Sequence, residues 1–192
     1  MTTEDLHSVI ISEIGKRARG RRIRTGVFFR GNPSLVEAIA ALGHRTVVMG
    51  DRFPQLFALR QLIRDDGFTP LTIVETRFSD LPIASRGLDV LVLSRGLPNS
   101  AHPRETLARL RRTLAPGGLL IWPHPIADGA RGVVGKLLVP YRRGMISSSV
   151  SHRLCRWFME AGYGEIVQRR PKGTGPAPWA VTTGTVGPAS IG

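Results

Sequence analysis

Cysteine is almost missing from this chain: Cys155 is the only one in 192 residues. That excludes an internal disulfide and a cysteine-based zinc cluster. The thiol stands in Leu154-Cys155-Arg156-Trp157-Phe158, a helical pattern with no second catalytic element beside it, so a packed or idle thiol is expected rather than a nucleophile. No apolar run approaches the ~20 residues of a membrane-spanning helix. The opening Met1-Thr2-Thr3-Glu4-Asp5 is acidic where a secretory signal would be basic and then apolar, so cytoplasmic residence is expected. No internal repeat and no metal-ligand spacing is visible.

Acids are scarce, with 14 Asp and Glu against 27 Lys and Arg, a net charge of +13. Lysine is scarce as well, because 24 of the 27 are arginine. A field of this sign attracts polyanions: nucleic acid, anionic membrane or an acidic protein. A GC-rich genome favours arginine over lysine without functional cause, but leaves the shortage of acids unexplained. The densest stretch is Lys16-Arg17-Ala18-Arg19-Gly20-Arg21-Arg22-Ile23-Arg24, six basic residues in nine. It reads either as a polyanion contact or as a solvated helix end whose cations oppose the C-terminal dipole.

What is present in quantity is an apolar pattern of alternating period. Leu6, Val9, Ile10 and Ile14 repeat at helical spacing from Thr3 to about Arg19, with Thr2 and Asp5 able to form a capping box. Strands are expected at Val27–Phe29, Thr46–Met49, Leu71–Val74, Leu88–Leu93 and Leu119–Trp122. Helices are expected between them at Pro33–Leu42, capped by Asn32 and stopped by Gly43, at Pro54–Asp66, ended by Gly67, and at Arg104–Leu114. Pro116-Gly117-Gly118 makes a turn before the fifth strand. Strict alternation of helices with continuous apolar strands argues for a parallel sheet covered on both faces, a doubly wound α/β fold.

The last third differs. Residues 123–146 carry three prolines and four glycines with little periodicity and read as a long loop over one sheet end. Ser149–Ala161 reads as a helix, and Glu165–Gln168 and Trp179–Thr183 as antiparallel strands at one sheet edge, joined through Pro171–Pro176. The tail beyond Thr183 is expected to fray. The expected organisation is an N-terminal helix and basic segment (1–24), one α/β domain (25–183) and a flexible tail (184–192).

Residues 88–122, from Leu88-Asp89-Val90-Leu91-Val92-Leu93 to the helix ending Leu114-Ala115-Pro116-Gly117-Gly118 and its strand, resemble class I S-adenosylmethionine (SAM)-dependent methyltransferases. Further upstream, Gly43–Asp51 is similar to the family's second strand with its terminal acid, and Asp80-Leu81-Pro82-Ile83 to its Asp-Leu-Pro-Phe turn. Downstream, Ala161-Gly162-Tyr163-Gly164 and the Trp179 strand resemble its closing α–β–β segment. The resemblance spans about residues 25–183. It implies a Rossmann-like, mostly parallel seven-stranded sheet with an antiparallel edge strand, and SAM lying across the carboxyl ends of the strands.

The same resemblance assigns positions. Asp51 would accept both ribose hydroxyls of SAM; Gly31 belongs to the glycine-rich loop after strand one; Arg77 and Phe78 follow strand three near the adenine; Ser94 ends strand four. Acceptor-side candidates are Arg95, where the family commonly has His, and His102 and His124, which fall in expected loops near the same sheet end and have general-base chemistry. Arg95 reads equally as an anion ligand or the partner of a nearby acid, whereas each histidine reads more readily as a solvent-exposed loop residue than as a base.

Departures from the pattern are concentrated at the cofactor. Phe29 and Pro33 stand where the family's loop has glycine, Val27 where it has an acid, and Arg77 where it has the adenine-binding Asp. Bulk at the loop obstructs close backbone approach. A hydrogen bond to a charged group is worth about 1.5–3 kcal/mol, so losing the adenine contact weakens SAM about tenfold to a hundredfold. Three readings follow: methyl transfer to an unidentified, small-molecule acceptor; a catalytically silent relative acting as a binding or scaffold subunit for a protein partner; and a nucleic-acid or other polyanion-binding module using residues 16–24.

Overall fold

The computed structural model describes residues 3–29, 33–66, 71–76, 81–94, 102–125, 148–169 and 179–187. The elements in chain order are α1 (Thr3–Ala18), β1 (Arg24–Phe28), α2 (Pro33–Ala40), β2 (Arg45–Gly50), α3 (Phe53–Asp66), β3 (Leu71–Glu75), β4 (Leu88–Leu93), α4 (Pro103–Thr113), β5 (Leu114–Pro125), α5 (Ser148–Glu160), β6 (Tyr163–Arg169) and β7 (Trp179–Val186).

Seven strands form one sheet in the order β3-β2-β1-β4-β5-β7-β6. The first five run parallel, β1 pairing with both β2 and β4. β7 enters antiparallel between β5 and the edge strand β6. The chain runs outward from β1 to β3 and returns to β4 beside β1, so the order reverses between β1 and β4, the place where doubly wound sheets open a crevice at their carboxyl ends.

Period-two alternation divides the core. Val27 and Val48 face the layer under α1, α2 and α3, with Ile10, Ile14, Val36, Ile39 and Leu59, all fully buried. Phe28 and Met49 face the opposite layer, with Leu107, Leu154 and Phe158 from α4 and α5. Strands buried on both faces carry continuous apolar sequence, as in Val90-Leu91-Val92-Leu93. α1 is part of this core through Leu6, Ile10 and Ile14, and Arg24, the last residue of the basic stretch, opens β1.

The expected doubly wound sheet is present, with four local differences. Leu114 is extended (φ −87°, ψ 138°) and belongs to β5, not to α4. The Pro116-Gly117-Gly118 turn is a bulge within β5: Leu114 pairs with Leu88 and Leu119 with Val90, leaving four residues of β5 opposite Asp89. Gly117 supplies the φ of +71° this needs, and a Cβ on Gly118 would meet the Ala115 carbonyl oxygen at 2.8 Å. β5 also runs on through Pro123, His124 and Pro125, which pair with Val181, Ala180 and Trp179; the rest of the expected loop, 126–146, lies outside the described residues. Finally, Gly184, Thr185 and Val186 are not a frayed tail: they pair with Leu120, Leu119 and Tyr163. A side chain at Gly184 would strike the Phe158 ring at 2.6 Å, so that ring packs directly on the backbone there.

Candidate functional site

The carboxyl ends of the four central strands meet in register. Phe28 lies opposite Met49 and Leu93, and Gly50 opposite Glu75. The ladder continues one residue further: the Phe29 N–H donates to the Met49 carbonyl (2.6 Å), the Thr76 N–H to the Gly50 carbonyl (2.8 Å) and the Ser94 N–H to the Phe28 carbonyl (3.0 Å). Thr76, Asp51, Phe29 and half-buried Ser94 thus mark the rim of the sheet across β3, β2, β1 and β4. Backbones are close here, since a Cβ on Gly50 would lie 3.2 Å from the Phe29 carbonyl oxygen.

Asp51 follows β2 directly and is exposed. α3 starts two residues later, and its inward stripe of Leu56 and Leu59 is buried. Its outer side shows Phe53 and Phe57, 56% and 50% exposed, their rings stacked at 6.0 Å between centroids. An exposed carboxylate beside an exposed aromatic pair combines an acceptor of hydroxyl hydrogen bonds with a flat apolar surface. The sequence held a signal for this pair, two Phe spaced i,i+4 off the Leu56–Leu59 stripe. It was masked by placing the helix start at Pro54.

Phe29, the bulky residue at the first glycine position, contributes only backbone to the rim. Its side chain is 3% exposed and lies in the core layer beneath α2 and α3, with Leu35, Val36, Val48 and Leu56. Val27 precedes it in the same layer, fully buried. An acid at Val27 would need a partner in that apolar layer, so valine is what the local packing favours.

The acceptor-side candidates separate. His102 sits before α4, its carbonyl accepting from the Thr106 N–H (3.1 Å) and hydroxyl (3.0 Å), which opens the helix. Its Nδ1 is 3.7 Å from the Glu105 carboxylate, both side chains about 70% exposed, too loose a contact to fix the ring. His124, expected in a loop, is instead in β5 and fully buried. The extended strand places it opposite β7, where Nε2 is 2.9 Å from the Thr182 hydroxyl oxygen, which also accepts from the Gln168 amide nitrogen at 3.0 Å. Its ring meets Trp122 edge-on at 5.9 Å. Sequence reasoning could not find Thr182 or Gln168, because their role depends on the pairing of three strands. The remaining candidates, Gly31, Arg77, Phe78 and Arg95, lie outside the described residues.

Comparison with known proteins gives the geometry a context. Residues 30–122 match a family model described as a methyltransferase domain. No curated protein matches the chain by sequence. Among solved structures, a protein described as a sarcosine dimethylglycine methyltransferase from Galdieria sulphuraria superposes with a TM-score of 0.74 at 11% identity, over 95% of this chain and 85% of that one. The [4+2]-cyclase SpnF gives 0.74 at 13% identity, over 93% and 80%. A phosphoethanolamine N-methyltransferase from Haemonchus contortus, in complex with phosphomonomethylethanolamine and S-adenosylhomocysteine, gives 0.72 at 9% identity, over 86% and 49%. Likeness at such low identity is likeness of fold, and the cyclase is a reminder that one fold hosts several chemistries. The family match over residues 30–122 and the strand order agree: the chain is similar to methyltransferase-domain proteins in this stretch of sequence and in fold.

Proposed function

We propose that this protein binds SAM along the rim formed by Asp51, Phe29 and Ser94 and transfers its methyl group to a small-molecule acceptor. The observation that carries the reading is the state of β2's carboxyl end: an exposed carboxylate next to an exposed aromatic pair, with the intrusive Phe29 ring turned into the core. Asp51 would hold the ribose hydroxyls, because an ionised carboxylate accepts two hydrogen bonds at once. Phe53 offers the purine a face on which to lie. Bound SAM supplies an activated methyl on a sulfonium, so the chain's own task is chiefly alignment of acceptor and donor. A small-molecule acceptor suits a family in which the Haemonchus neighbour holds phosphomonomethylethanolamine. We place the reaction in the cytoplasm, where a lone thiol such as Cys155 stays reduced.

A second reading has its own support. Val27 removes the acid of the first loop and is sealed in the apolar layer, so the methionine end of the cofactor loses a charged partner. A relative that keeps the nucleoside end of the site and has lost transfer would act as a binding subunit. Calorimetric titration with SAM and with its demethylated product separates the two from failure of both. Binding of either ligand, weakened about tenfold to a hundredfold by Asp51→Ala, supports the site. Methyl transfer to any added acceptor then decides for the enzyme. No heat with either ligand at millimolar concentration overturns the site itself.

A further inference from the structure

The basic stretch of residues 16–24 is dispersed by the fold. Lys16 pairs with Glu13 at 2.9 Å. Arg17 is half-buried, its guanidinium lying over Gly117. Arg24 donates its backbone N–H (2.9 Å) and Nε (3.2 Å) to the Asp89 carboxylate. Only Arg19, Arg21 and Arg22 remain exposed with no salt bridge among the described residues, Arg21 lying near the Asp89 carboxylate that Arg24 engages.

The fold then adds what the sequence separates. Arg45 opens β2 as the direct partner of Arg24, and its N–H donates to the Ile23 carbonyl at 3.1 Å. Arg86 precedes β4, and its N–H donates to the carbonyl of Arg112 at the end of α4 (2.8 Å). All three side chains are exposed and make no ion pair among the described residues. Arg19, Arg21, Arg22, Arg45, Arg86 and Arg112 therefore line the amino end of β2, β1, β4 and β5, with Asp89 already engaged by Arg24. Elsewhere Arg104 and Arg156 are matched to Glu160 and Arg169 to Glu13, and Arg60 reaches the Ile73 carbonyl. Arg52 and Arg109 are exposed without an ion pair among the described residues and stand in separate segments. An arginine-rich composition accounts for the number of such residues, not for six of them gathering at one end of adjacent strands.

We infer that this ridge is a binding surface for the phosphodiester backbone of a nucleic-acid duplex, at the opposite end of the sheet from the SAM rim. Guanidinium groups bind phosphate oxygens bidentately and stay charged at any physiological pH. Three strand spacings give the ridge a width of roughly 14 Å, which faces about eight charges of a duplex carrying one per ~1.7 Å of axis. The exposed large apolar side chains of the described residues are Phe53, Phe57, Met159 and Val167, none of them on the ridge's strand ends or turns. Among the described residues the ridge thus offers no aromatic platform for unpaired bases and no apolar wedge for a bilayer. Binding is backbone-directed and blind to sequence.

The test is fluorescence anisotropy of the full chain with a labelled 24-base-pair duplex of mixed sequence across a salt series, beside the single strand and phosphatidylserine vesicles. Six phosphate contacts predict a slope of log K against log salt of about −5. The triple variant Arg45→Gln/Arg86→Gln/Arg112→Gln should bind the duplex at least tenfold more weakly, with the slope reduced by about 3. Its thermal melt should match wild type, since these side chains make no ion pair among the described residues. Arg104→Gln/Arg156→Gln/Arg169→Gln, which removes equally many charges from three matched positions, should leave duplex affinity within about threefold. Absence of duplex binding at low salt overturns the inference, as does equal loss in both variants or tighter binding to vesicles or single strand. Asp51→Ala should bind the duplex as wild type does, so the outcome stands apart from that of the SAM site.

Discussion

The two ends of the sheet are built on different terms. At the amino end the connections are fastened by backbone and side-chain bonds: Asp89 accepts twice from Arg24, and the Arg112 carbonyl accepts from the Arg86 N–H and the Ser85 hydroxyl. The glycine bulge of β5 closes over Arg17. At the carboxyl end the ladder stops one residue past each strand, leaving Asp51 and Phe53 exposed. Backbone and side-chain bonds fasten the connections at the first end, while the second presents a carboxylate and an aromatic face at the surface. Phe29 crosses this division, since it lies at the open end by sequence and in the core by its side chain.

The sharpest way to break the comparison is therefore Phe29→Ala. A buried ring in a packed layer predicts a loss of about 3–5 kcal/mol in a urea melt. A loss under about 1 kcal/mol would mean the ring stands on the rim, where it would block the cofactor. Gly117→Ala probes the fastened end. At φ +71° a Cβ is strained, and it would fall 2.5 Å from an Arg17 guanidinium nitrogen that can swing aside, so the expected cost is about 1–2 kcal/mol. No loss would show that the bulge relaxes freely.

The smallest effect is electrostatic. Burial alone would raise the Asp89 pKa, but the Arg24 backbone N–H, its guanidinium and the nearby Arg21 outweigh that and hold it below the usual carboxylate range. A depressed folded pKa stabilises the fold above the unfolded value, near 3.9, and that contribution is lost as pH falls through the folded value. The Arg24 side chain is half exposed, which limits the pair to about 1 kcal/mol or less. Asp89→Asn should cost that much at pH 7 and nothing at pH 2, read as the difference between paired urea melts. An equal cost at both would assign the effect to packing.

Most of the fold was legible because it is written in local periodicity. Continuous apolar runs gave β4 to the residue, and the Leu107-Leu110 stripe gave α4. What was not legible depends on pairing between distant segments. His124 between two prolines looks like loop, and only β7 lying alongside turns it into a buried strand residue held by Thr182. Val186 looks like a tail until Tyr163 pairs with it. The site was half legible. Asp51 follows an apolar strand in a familiar way, but whether Phe29 fills the cofactor's space depends on the face its strand presents to α2. The basic run shows the converse, a conspicuous sequence feature half neutralised by its neighbours and completed by arginines twenty to ninety residues away.

The central claim is that the carboxyl end retains room for a nucleoside beside Asp51 despite the altered loop. A crystal structure of the protein soaked with S-adenosylhomocysteine tests it most directly. The account predicts ribose hydroxyls on the Asp51 carboxylate, the adenine along Phe53 and the Phe29 ring still beneath α2. Phe29 found projecting over the ends of β1 and β2, with no ligand beside Asp51, would contradict it.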